Sequence, residues 1–203
     1  MPVLSVTPLS GDGSVFYDNA GTWAGVRNGS AGSGGADHTS NPTRFYAAKI
    51  AATFYCGRLF LPFDTSALTT DATIVSAVLK FTVEEVLSAN ATAHLVQTNA
   101  ASNTALATSD FNSVTYTTGG NVLVSSTGQK IITLNGTALT WISKTGVTKL
   151  GIVEDHDYTN TEPAVDNRID VYMGEDATAG NRPTLEITYT TPFDGRVGDF
   201  KFL

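Results

Sequence analysis

Apolar and polar side chains alternate with a period of two along most of this chain. Val75, Ala77, Leu79, Phe81 and Val83 fall on one face of a segment whose other face carries Ser76, Lys80, Thr82 and Glu84. A strand with one buried and one wet face reads this way. The same alternation runs through Arg58–Asp64 and Thr184–Thr190. Shorter pieces at Val3–Thr7, Ser14–Tyr17, Thr22–Arg27, Phe45–Tyr55, Thr92–Thr98, Val147–Glu154 and Arg168–Met173 predict further strands. Val122–Ser125 and Lys130–Leu134 are spaced as a hairpin turning near Thr127-Gly128. Ala138, Leu139, Trp141 and Ile142 have helical spacing and predict one short helix, ended at Gly146. The run NGSAGSGGADHTSN, from Asn28 to Asn41, predicts an exposed, mobile loop. Residues 99–113 predict a second loop, and Asp155–Asp166 a solvated acidic one.

About ten short strands with one brief helix predict an all-β fold, an antiparallel β-sandwich of the jelly-roll kind. A parallel α/β fold would need several long amphipathic helices, which the pattern lacks. The β pattern spreads evenly, so residues 1–192 read as one domain. Residues 193–203 read as a separate tail.

Composition narrows the function. Charged residues make up 15% of the 203, against roughly 25% in an average soluble domain. Thr, Ser, Ala, Gly and Asn take their place, which suits extracellular or virion β-proteins. The net charge of −7, with twelve scattered basic residues, argues against nucleic acid as a partner. No apolar run approaches the ~20 residues of a membrane span. The opening Met1-Pro2-Val3-Leu4-Ser5 has no basic segment followed by an apolar one, so no secretory signal is expected. Cys56 is the single cysteine, which excludes an internal disulfide and predicts a buried thiol acting as a small hydrophobe.

Three segments in order carry a resemblance. They are Arg58-Leu59-Phe60-Leu61-Pro62-Phe63-Asp64, then Ile74-Val75-Ser76-Ala77-Val78-Leu79-Lys80-Phe81, then Arg182-Pro183-Thr184-Leu185-Glu186-Ile187-Thr188-Tyr189. With Thr22-Trp23 before them, they resemble DNRLRE-type jelly-roll domains of bacterial surface and phage virion proteins, which are similar to some carbohydrate-binding modules. The string that gives the family its name is absent; Asp166-Asn167-Arg168-Ile169-Asp170 is the nearest approach. The resemblance implies a jelly roll over residues 10–190 and a role in virion structure, adhesion or glycan binding.

Chemistry is sparse. There is no GxSxG elbow, HExxH, P-loop or dinucleotide fingerprint. His38, His94 and His156 are widely separated; His94 is expected to be a surface or packing residue and His38 a solvated one. Glu154, Asp155, His156 and Asp157, with Asp166 and Asp170, offer hard oxygens for Ca²⁺ without EF-hand spacing; no other cofactor is expected. The same carboxylates could serve glycoside hydrolysis only as any acidic chain could. Trp23, Trp141, Tyr116 and Tyr158 are the aromatic candidates for a sugar platform. Both tryptophans are expected in the core and Tyr158 at the surface. Sequons begin at Asn28, Asn90 and Asn135. In the tail, Phe193, Phe200, Phe202 and Leu203 are expected either to fold back or to dock on a neighbouring subunit.

These readings predict a non-enzymatic structural protein of a phage-like virion: a capsid decoration, head-fibre or tail-associated subunit. Its expected partners are copies of itself and other virion subunits. The alternative is a carbohydrate-binding or adhesive module, extracellular or on a bacterial surface, with a cell-surface glycan as partner.

Overall fold

The computed structural model describes residues 1–87 and 91–191. Twelve strands follow one another: β1 (Val3–Val6), β2 (Gly13–Ala20), β3 (Ser33–Asp37), β4 (Thr43–Ile50), β5 (Thr53–Asp64), β6 (Thr73–Val86), β7 (Ala91–Thr98), β8 (Val114–Val124), β9 (Gly128–Thr133), β10 (Val147–Glu154), β11 (Asp166–Val171) and β12 (Thr184–Thr190). Three short helices interrupt them, α1 (Trp23–Arg27), α2 (Gly136–Leu139) and α3 (Asp155–Thr159), with a 3-10 turn at Thr108–Asn112 among the connections. The protein is mostly antiparallel β-sheet, as the alternation predicts.

Two long strands organise a curled sheet. β5 pairs with β2 along one edge. On its other edge it meets β4 over Thr53–Gly57 and then β10 over Leu59–Asp64. β6 divides likewise, between β12 over Thr73–Lys80 and β11 over Val83–Val86, with β9 on the opposite edge. Pairing of β4 with β11 joins the two halves, and β7 and β8 extend the sheet beyond β10.

β5 is buried on both faces. Leu59, Leu61 and Phe63 enter the main core with Leu79, Phe81 and Ile187. Phe54, Cys56 and Phe60 enter a second cluster with Val15, Trp23 and Phe111. The apolar/polar alternation expected over Arg58–Asp64 is therefore corrected: Arg58–Phe63 is buried on both faces, and its sequence is nearly continuously apolar for that reason.

Several expectations are corrected. Thr22–Arg27 is not a strand: Thr22 Oγ1 accepts from Gly25 N–H at 3.3 Å and caps α1, whose Trp23 and Val26, three apart, are both buried. The glycine-rich run is not wholly a loop, because Ser33–Asp37 forms β3 against β2. Its pairing uses backbone alone, and its glycines make room for rings. A Cβ at Gly34 would lie 2.8 Å from the Tyr17 ring, and one at Gly35 2.5 Å from that of Phe16. Phe45–Tyr55 is not one strand: the turn between β4 and β5 falls inside it at Ala51-Ala52, with Ala51 in the left-handed region (φ 54°). β8 and β9 do not pair as a hairpin; β8 finds β7 and β9 finds β6, each with a longer ladder on offer. Twelve strands and three helices replace about ten strands and one helix.

Candidate functional site

The largest fully buried side chain among the described residues is Arg58, which β5 turns into the second cluster at 1% exposure. Opposite it is Asp157, fully buried, delivered by α3. That helix starts where the Glu154 carboxylate accepts the His156 N–H and ends at Asn160 in the left-handed region. Arg58 Nε and Nη2 donate to the two Asp157 oxygens at 2.7 and 3.0 Å. Nη1 donates to the Phe111 carbonyl at 2.7 Å, and Nη2 also to the Arg27 carbonyl at 2.6 Å. Tyr116 O–H donates to Asp157 Oδ1 at 2.7 Å, and Arg27 Nε to the Asp157 carbonyl at 2.9 Å. The guanidinium of Arg58 lies 3.7 Å over the Phe111 ring.

Burial pulls Arg58 towards its neutral form, but the Asp157 carboxylate more than restores it, leaving the pKa above the usual value. Burial and then Asp157 push the Tyr116 hydroxyl and the Cys56 thiol up. Arg58, Tyr116 and Cys56 thus hold their ordinary charge states more firmly. The group clamps α1, α3, β5, β8 and the 3-10 turn together. Cys56 is fully buried beside it, as a small hydrophobe should be.

Among the described residues, Asp170 alone of the carboxylates considered for Ca²⁺ joins a group of acids close enough to share an ion. Asp157 belongs to the clamp. Asp155 Oδ1 meets His94 Nε2 at 2.8 Å, and His94, 7% exposed, stacks on Tyr158 with ring centres 4.2 Å apart. Asp170 lies 3.5 Å from Arg168 Nε and 4.0 Å from Arg44 Nε. It also sits in a group of three carboxylates with Glu84 and Glu85, gathered by the bulge between β6 and β11; the two arginines supply the positive charge there. The expected acidic loop is corrected in its first part and kept in its second: Asp155–Thr159 is helical with Asp157 sealed, whereas Asn160–Val165 is irregular and mostly exposed.

Glu154 is 1% exposed, with His156 N–H donating to Oε2 at 2.7 Å. Burial pushes its carboxyl from 4.5 up to about 7, with the hydrogen bond and charge of His156 pulling the other way. Between those two values folded Glu154 keeps a proton that the unfolded chain has released. Its contribution to stability is complete below about pH 4.5 and is lost as pH rises through about 7. The Glu154→Gln variant should lack this fall, which amounts to ~3 kcal/mol at about 1.4 kcal/mol per pKa unit. Urea unfolding of both proteins on either side of that window measures the difference.

The open polar surface lies elsewhere, over β2, β4 and β11. Two adjoining cavities, about 310 and 190 Å³, share Asp18, Arg44 and Tyr46. Asp37 and Ser40 border one, and Tyr55, Asp166 and Arg168 the other. Tyr46 O–H donates to Asp18 Oδ1 at 2.8 Å. Burial raises the Asp18 carboxyl, against that hydrogen bond and Arg44. The Tyr46 ring lies across Gly57, where a Cβ would stand 2.5 Å from it. These residues did not stand out in the sequence, because three separate strands bring them together.

The expected aromatics distribute differently. Trp23 is buried and Trp141 is half-buried against the main core. Tyr158, expected at the surface, is half-buried on His94. Tyr116 belongs to the clamp. Phe193, Phe200, Phe202 and Leu203 lie outside the described residues, as does the sequon asparagine Asn90. No family model matches this chain, and no curated protein matches it significantly.

Proposed function

We infer that the protein is a non-enzymatic structural subunit of a phage-like virion, built as a jelly-roll sandwich and acting by docking and surface presentation. The observation that carries this reading is the enclosure of Arg58 and Asp157: a two-pronged charge pair is sealed inside and joins secondary-structure elements to one another. The charge-poor, Thr- and Ser-rich composition supports it. In this reading the 193–203 tail docks on a neighbouring copy, as a few buried aromatics can dominate an interface.

The groove around Asp18, Arg44 and Tyr46 favours a second reading, a glycan-binding or adhesive module. Its carboxylates accept and its arginine and tyrosine donate, which matches sugar hydroxyls. One sedimentation experiment with two arms separates them. On the first reading, the full chain sediments as an oligomer and a chain ending at residue 192 as a monomer, with soluble polysaccharides changing neither. Two identical monomers would remove the docking role. On the second reading, a polysaccharide co-sediments with the protein, and Arg44→Ala weakens that at least about tenfold, the loss of ~1.4 kcal/mol.

A further inference from the structure

Asp12, in the connection from β1 to β2, is 1% exposed, yet only one of its carboxylate oxygens is engaged. Gly174 N–H donates to Oδ2 at 2.7 Å, and Oδ1 is buried without a hydrogen-bond partner. The carboxylate lies against bare backbone: a Cβ at Gly174 would stand 3.1 and 3.4 Å from its two oxygens. Two other buried acids in the fold are well supplied. Asp157 has Arg58, Arg27 and Tyr116. Asp176, in the same connection from β11 to β12 as Gly174, accepts from Asn41 Nδ2, Asn181 Nδ2 and Thr178 N–H.

Asp12 has no such supply. Among the described residues, no lysine, arginine or histidine nitrogen lies within 4.0 Å of it. What stands beside it is a second acid, the exposed Glu175, next in the chain after the Gly174 that donates to Asp12, and its charge raises the Asp12 carboxyl further. A second unpartnered oxygen belongs to a residue tied to the chain beside Asp12. Gly11 N–H donates to the Asn103 carbonyl at 3.2 Å, which holds Asn103 against the residue before Asp12, and Asn103 Oδ1 is also buried and unpartnered. An orphaned buried acceptor has lost its water without gaining a partner, at a cost that is greater when it is charged, so such atoms point to a missing partner.

We propose that this corner binds a divalent cation, calcium by the chemistry of its all-oxygen donors, with Asp12 and Glu175 as the carboxylate ligands. Asn103 offers a neutral oxygen, and the exposed side of Glu175 admits water for the remaining positions. The two carboxylates balance the charge of the ion. The ion joins the chain before β2 to the connection between β11 and β12, segments 162 residues apart. This inference does not depend on the docking reading.

Calcium titrated calorimetrically into chelator-treated full-length protein at neutral pH tests it, with thermal unfolding followed in parallel. The expected result is one ion per chain and an unfolding midpoint several degrees higher in millimolar calcium. Glu175→Gln, a surface change that leaves the fold intact, should weaken binding at least about tenfold, or ~1.4 kcal/mol, and Asp12→Asn should abolish it. No heat and an unchanged midpoint in calcium would overturn the proposal. Binding unaffected by Glu175→Gln would also overturn it. So would a midpoint that follows pH and ignores calcium, which would assign the orphaned oxygen to a proton shared between the two acids.

Discussion

Replacing Asp157 with alanine is expected to lower the unfolding free energy by about 3–5 kcal/mol, the cost of leaving one half of a buried ion pair without the other. The Arg58 guanidinium would keep its carbonyl bonds to Phe111 and Arg27 but lose the one anion it touches among the described residues. Arg27 and Tyr116 would also lose a partner, yet both are only half-buried and can turn towards water. For a domain whose total stability is about 5–15 kcal/mol, the loss is a large fraction. Arg58→Met should cost a similar amount, because it strands Asp157. The double variant, Arg58→Met with Asp157→Leu, should be less destabilised than the sum of the two, since neither charge remains to be desolvated. Urea unfolding of the four proteins gives the coupling; strictly additive losses would mean that the pair is not a unit.

Truncating either aromatic face of β5 should have an effect of the same size. Phe60→Ala opens a void in the second cluster and Phe63→Ala one in the main core. Each should cost about 3–5 kcal/mol, the usual range for removing a buried ring. The two positions lie three residues apart on one strand whose ladder is shared by β2, β4 and β10. Damage on one face should therefore unfold both. Far-ultraviolet and aromatic circular dichroism of each variant should follow one coincident transition. An early, separate loss of the aromatic signal in Phe60→Ala would mean that the second cluster is an independent unit laid against the main core.

What could be read in the sequence was what depends on local periodicity. β6 and β12 were legible because one face of each is buried and the other wet, so residue type records the face. β3 was not, because glycines that accept the Phe16 and Tyr17 rings look the same in sequence as glycines of a free loop. α1 is only five residues long, too short for its spacing to outweigh a strand reading. The polar sites were the least legible. Asp157 is buried because Arg58, 99 residues earlier, neutralises it. Asp12 is sealed by a glycine 162 residues later. An acidic string such as Glu154-Asp155-His156-Asp157 reads as solvated until those distant partners are known. Its first and last acids are in fact sealed, whereas Asp155 is half-buried on His94.

The central claim is that the sealed charges hold the fold while the surface and tail do the work. Sedimentation velocity of the folded Arg58→Met, Asp157→Leu double variant tests it most directly. An assembly of the same size as the unaltered protein is the expected result, because the pair never meets a partner. A double variant that is folded by circular dichroism yet has lost its assembly would contradict the claim, and would give those two charges a role beyond holding the chain together.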